Sequence, residues 1–212
     1  MKRFLFAIGC LFVLSGQSLA YELNLFVGAN VGVTGLVMGD DLRSTEKDGI
    51  WDVQSSYFGM GADFGVRFLT YNVYNAGITA AYDYMFDAKT EINSNYKPYI
   101  SYSKIGFSTI SAVFDNYIRI DGRYENRQDI VIGLGIANIT ERLYIAPTSL
   151  GVTAGGLRPV DEKDDGLAAV FKLAYNVKIG NHEGYISARY FYAAEKDVEG
   201  LFNMNIGIRY IF

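Results

Sequence analysis

The chain has 212 residues, with 19 basic and 23 acidic side chains, a formal charge of −4, 23 glycines and 17 tyrosines. That length fits one domain, and the acidic balance excludes a nucleic-acid binder, whose affinity rests on Lys and Arg neutralising phosphates. A single cysteine and a single histidine exclude zinc fingers, Cys-pair redox chemistry and multi-histidine metal centres.

Residues 1–20 have the build of a secretory signal: Lys2 and Arg3, an apolar stretch from Phe4 to Leu14, and a small-x-small end at Ser18-Leu19-Ala20. The apolar stretch falls short of the about 20 residues a membrane helix needs. Cys10 follows Ala7-Ile8-Gly9 as in a loose lipobox, but Leu11-Phe12-Val13-Leu14 continues the apolar run where a lipidated mature end would turn polar. Cleavage after Ala20 is expected, leaving 21–212 as a cysteine-free exported domain. Loss of Lys2 and Arg3 takes its charge from −4 to −6.

The rest of the chain alternates with period two, the signature of strands with two unlike faces. Leu23, Leu25, Val27, Ala29, Val31 and Val33 share one face from 23 to 37; Asn24, Phe26, Gly28, Asn30, Gly32 and Thr34 share the other. Residues 57–68 set Phe58, Met60, Phe64 and Val66 against Gly59, Asp63, Gly65 and Arg67. Residues 76–87 set Ile78, Tyr82, Tyr84 and Phe86 against Thr79, Asp83 and Asp87. In the middle, Ile105, Phe107, Thr109, Ser111 and Val113 form one face, with a turn expected at Asp115-Asn116. Tyr117–Tyr124 follows, then Ile130–Ala137, then 143–154, interrupted by Pro147. Three clear segments close the chain at 167–178, 186–192 and 202–212. These make ten strands, or eight if the two weakest are merged. Long polar connections are expected at 38–52, 87–97 and 155–165, and short ones near 70–75, 115–116, 138–142 and 180–184. The links 125–128 and 195–200 spoil the alternation of long with short.

The polar faces carry Gly, Asn, Ser, Thr and isolated charges, while the apolar faces are nearly free of charge and end in Tyr and Phe. A soluble sheet would show long solvated Lys and Glu on its polar face. The observed pattern is that of a transmembrane barrel, with lipid outside, a polar lumen inside and aromatic girdles at both interfaces. In lipid a sheet survives only by closing on itself. Asp63, Arg67, Asp83, Arg119, Arg189 and Arg209 are the expected lumen charges, joined by Asp121, Lys104, Arg123, Lys172 and Lys178.

The chain ends Asn205-Ile206-Gly207-Ile208-Arg209-Tyr210-Ile211-Phe212. This resembles the C-terminal assembly signal of bacterial outer-membrane β-barrels, and with the leader and the alternation the whole mature chain resembles the small barrels of OmpA-like, OmpX-like or OmpW-like type. The resemblance implies an all-β, closed, antiparallel up-and-down barrel in the outer membrane. It also implies both termini in the periplasm and recognition by the barrel-assembly machinery through Asn205, Gly207, Tyr210 and Phe212.

Catalysis, metals and cofactors find no site in the sequence. Enzymatic barrels need a histidine paired with Ser, Asp or Glu, and His182 lies in an expected periplasmic turn, Asn181-His182-Glu183. Gly59-Met60-Gly61 and Gly133-Leu134-Gly135 lie inside strands with no following helix, unlike nucleotide-binding glycines. The run Asp161-Glu162-Lys163-Asp164-Asp165-Gly166 lacks the spacing of a calcium loop. The expected function is a structural or surface-interaction barrel whose loops, above all Met38–Asp52, meet an extracellular ligand. The alternative is a small porin-like diffusion channel for polar or amphipathic solutes.

Overall fold

The computed structural model describes residues 22–38, 51–52, 56–69, 74–92, 97–123, 125–193 and 198–212. The expected leader, its cleavage point and the loop residues 39–50 lie outside them. Nine strands form one antiparallel sheet: β1 (Glu22–Met38), β2 (Trp51–Asp52), β3 (Ser56–Leu69), β4 (Tyr74–Ile92), β5 (Ile100–Gly122), β6 (Asn126–Pro147), β7 (Val160–Ile179), β8 (His182–Ala193) and β9 (Val198–Ile211). The two-residue β2 only pairs with the far end of β4. The other eight pair in chain order, and β1 closes the ring on β9.

The count is therefore eight, and the two surplus strands have physical explanations. Asp115-Asn116 is not a turn. It lies inside β5, where Asp115 faces inward and Asn116 faces outward, so 105–113 and 117–124 are one strand. Likewise 130–137 and the start of 143–154 are one strand, β6, which runs unbroken through 138–142 to Pro147. Pro147 occupies the last position of β6, where a missing N–H costs no ladder bond inside the barrel. Thr148 then caps the short helix α1 (Ser149–Thr153), its hydroxyl accepting from Gly151 N.

With eight strands the connections sort by end, although the 194–197 link stays short on the long side. One end of the barrel carries the brief links 70–73, 123–125 and 180–181 with both ends of the ring. The other carries 39–55, 93–99, 148–159 and 194–197. At the first, turn-side end Gly122 and Gly180 take positive φ of 86° and 57°, backbone that L side chains rarely adopt. The 125–128 anomaly vanishes, because that link belongs on the short side.

Register fixes the shape. The ladder runs Phe26↔Gly65↔Thr79↔Val113↔Gly135↔Val170↔Phe191↔Leu201↔Leu36, returning to β1 ten residues further along. A stagger of that size over eight strands tilts them by about 40° to the barrel axis. Along β1 the outward row from Leu23 to Val33 is exposed, and its projection on the axis is about 25 Å, the height of a transmembrane barrel's apolar band. Among the described residues no helix is long and apolar enough to cross a membrane.

Four strands outrun the rest at the loop end. The β6–β7 ladder continues to Ile145↔Val160, whereas β7–β8 stops at Ala168↔Ala193. The β4–β5 ladder continues to Thr90↔Ser103, whereas β3–β4 stops at Gly59↔Met85. A sheet of β4, β5, β6 and β7 thus rises beyond the ring, with β2 added at one side and β7 as the outer strand at the other.

Candidate functional site: a two-tier lumen

The outer wall is apolar wherever the ring is complete. Ile110, Leu134, Ile136, Leu173, Ile206 and Ile208 are all exposed there. Aromatic side chains gather at its two rims. At the loop-side rim Phe58 stacks on Phe86 at 6.1 Å and Tyr84 meets Phe86 edge-on at 5.8 Å. At the turn-side rim Tyr210 contacts both His182 and Phe212 edge-on. His182 is exposed there and opens β8.

Inside, the turn-side half is charged. Asp63, Arg67, Asp83, Arg189 and Arg209 all lie within the ring at 5% exposure or less. Arg209 on β9 donates to Asp63 on β3 and, at 3.2 Å, to Glu183 on β8. Arg67 binds the same Glu183 with contacts of 2.7 and 3.0 Å, and Asn176 adds another at 2.9 Å. Arg189 pairs with Asp83 at 2.7 Å and Lys172 with Asp115 at 2.8 Å. Aromatic rings line the same space: the Arg209 guanidinium lies 4.1 Å from Tyr185 and 4.7 Å from Phe26, and Arg67 lies 4.0 Å from Tyr117. Glycines on the inward face make room for this network. A Cβ on Gly28 would lie 2.6 Å from Arg209 Cγ.

Arg119 is only half-buried, at the turn-side mouth of the lumen. Other expected lumen residues sit elsewhere. Lys104 is on the outer face, over the Tyr102 ring. Asp121 and Arg123 are exposed beside the 123–125 link, where Asp121 accepts from Gly122 N. A bulge between Met85 and Ala88 leaves Asp87 exposed, paired with Arg142 at 3.3 Å. Conversely, Asp115, Arg127 and Glu183, expected in turns and links, are buried charges, and so is Asp129.

The loop-side half of the lumen is apolar. Tyr57, Met85, Ile105, Phe107, Ile139, Val170, Phe191 and Leu201 pack together inside the ring, with Leu36, Ala88 and Leu143 against them. Tyr57 meets Phe107 edge-on at 5.3 Å. Ile105, Phe107, Thr109, Ser111 and Val113 do share one face, and it is the inward one, while Ile110 and Ala112 face outward. Below this stopper a cavity of about 10 Å³ lies among Asn30, Ser111, Lys172 and Arg189, room for about one water.

No protein-family model matches the chain, and no curated protein sequence matches it. Solved structures do. Ail, the attachment invasion locus protein of Yersinia pestis, aligns at 12% identity with a TM-score of 0.56, over 90% of this chain and 99% of Ail. The chain has the fold of the small bacterial outer-membrane β-barrels. Ail in complex with the heparin analogue sucrose octasulfate gives 0.54 at 12% identity, with the same coverage of 90% and 99%. The N-terminal β-barrel domain of Pseudomonas aeruginosa OprF gives 0.51 at 11% identity, over 91% of this chain and 99% of that domain. At such identities the likeness is one of fold.

Proposed function

We propose that this chain is a non-conducting barrel of the outer membrane, without catalysis, whose working part is the β4–β7 extension and the loops around it. The observation that carries the reading is the closed lumen: an apolar stopper stands over a salt-bridged tier, so no continuous polar path joins the two mouths. An eight-stranded barrel has an interior that side chains just fill. A diffusion channel needs a continuous water path, which Phe107, Phe191 and Leu201 interrupt with buried hydrocarbon. For catalysis, the lone histidine is exposed at the turn-side rim, edge-on to Tyr210. Purified full chain in planar bilayers should show no stable single-channel steps; reproducible openings would replace this reading with the channel.

The surface on offer is acidic. The outer strand of the extension carries exposed Asp161, Glu162, Asp164 and Asp165 against Lys163, and the preceding long loop adds Asp40, Asp41, Glu46 and Asp48 against Arg43 and Lys47 in sequence. Ail was solved with a polyanion. Here the charge favours a cationic partner, and salt should weaken its binding. Orientation follows from the same reasoning: the turn side, with both ends of the ring, faces the periplasm, and cleavage after Ala20 releases β1 from its leader. The assembly machinery is inferred to read Tyr210 and Phe212, which lie on the lipid face at 42% and 68% exposure. Asn205 and Gly207 of the same motif face the lumen side of β9.

A further inference from the structure

The charges in the lumen are unevenly balanced along the axis. Toward the stopper they close one to one: Arg189 with Asp83, Lys172 with Asp115, Arg209 with Asp63. Among the described side chains of the turn-side mouth four cations, Arg67, Arg119, Arg127 and Lys178, share the field of two buried carboxylates, Asp129 and Glu183. Glu183 is already occupied by Arg67, Arg209 and Asn176. The Arg127 side chain is 0% exposed. Its Nε forms an ion pair with Asp129 at 2.8 Å, but neither Nε, Nη1 nor Nη2 makes a hydrogen bond among the described residues, and Oδ1 and Oδ2 of Asp129 accept none there either. Nη1 of Arg67 is 3.9 Å from Asp129, beyond hydrogen-bond distance, and Nε of Arg119 likewise has no acceptor. A buried guanidinium missing acceptors carries a desolvation cost that an anion would offset. Guanidinium forks match the paired oxygens of phosphate and carboxylate groups.

We propose that the turn-side mouth of the lumen is an oxyanion site that takes a phosphate group. Arg127 and Arg67 supply the buried donors, and Arg119 and Lys178 complete a ring of positive charge. Half-buried Arg119 marks the side from which the anion enters. Inorganic phosphate and a lipid-headgroup phosphate share this chemistry, and the test separates them.

The full chain, folded in phosphatidylcholine nanodiscs, is titrated with inorganic phosphate against chloride at constant ionic strength. The arginine Nε–H resonances and Tm are followed. A saturable shift at Arg127 and a rise in Tm are expected with phosphate and absent with chloride. Arg127→Gln should weaken the apparent affinity by about tenfold or more. Lys178→Gln, at the rim, should weaken it less and serves where Arg127→Gln does not fold. A parallel series in phosphatidylglycerol nanodiscs, without added phosphate, reports headgroup binding; a response there alone assigns the site to lipid. No response in either series overturns the site. So does an equal response to chloride, or a phosphate response unchanged in whichever of the two variants folds.

Discussion

Arg209→Met tests the logic of the charged tier most directly. The side chain fills nearly the same volume, but Asp63 loses its guanidinium and keeps only the Tyr185 hydroxyl, at 3.4 Å. Glu183 loses less, because Arg67 holds it with contacts of 2.7 and 3.0 Å. The change therefore strands one buried carboxylate, at 4% exposure, and removing one partner of a buried ion pair costs about 3–5 kcal/mol. Adding Asp63→Asn to the same chain deletes the stranded charge and should recover about 2 kcal/mol or more of that loss. The assay is urea unfolding of the refolded barrel in lipid vesicles, with the folded fraction read by heat-modifiable gel migration, in a double-mutant cycle. Losses that simply add, with coupling below about 0.5 kcal/mol, would refute the claim that these residues act as a pair.

Three more outcomes follow from the same geometry. Leu134→Lys, at mid-height on the lipid face, should cost about 2–4 kcal/mol in vesicles, and Ile179→Lys at the turn-side rim about 1 kcal/mol or less; equal, small costs would mean that this wall faces water. Gly207→Ala places a Cβ 2.5 Å from Tyr185 Cζ and 2.7 Å from Ala29 O, so the same titration should show a loss of about 1–3 kcal/mol, and an unchanged midpoint would show that the ring can yield. Phe212→Ala should lower the amount of barrel inserted in cells while leaving refolding in vesicles close to normal; loss in both would make Phe212 a packing residue and not a recognition one.

The outer wall was legible because lipid imposes one rule on every strand. Leu23 to Val33 or Phe202 to Tyr210 alternate against Gly, Asn and Arg, and the phase is unmistakable. The middle failed where that contrast disappears. In β5 the stopper makes the lumen face apolar too, so Ile105, Phe107 and Val113 compete with Ile110, Ala112 and Phe114 for the same assignment. Asp115-Asn116 carried turn chemistry in its composition, yet Asp115 is a lumen carboxylate held by Lys172 and Thr79. Glu183 and Asp129 were hidden for a related reason: Glu183 is the second residue of β8 and Asp129 the fourth of β6, near turns where a charge looks solvated. Arg127 lies two residues from Asp129 on the same face, but Arg67, the partner of Glu183, becomes apparent only with the register. Glu183 and Arg67 are 116 residues apart in sequence, and no local pattern predicts that they meet.

The seam between β1 and β9 governs the order of events in biogenesis. The ladder there sets Phe26 opposite Ile211 and Leu36 opposite Leu201, the earliest and latest segments of the ring. A polypeptide still being exported has one raw border with nothing to zip against, and in acyl chains such a border is prohibitive. In a bilayer, closure of the ring must therefore wait for its final residues to pair with β1.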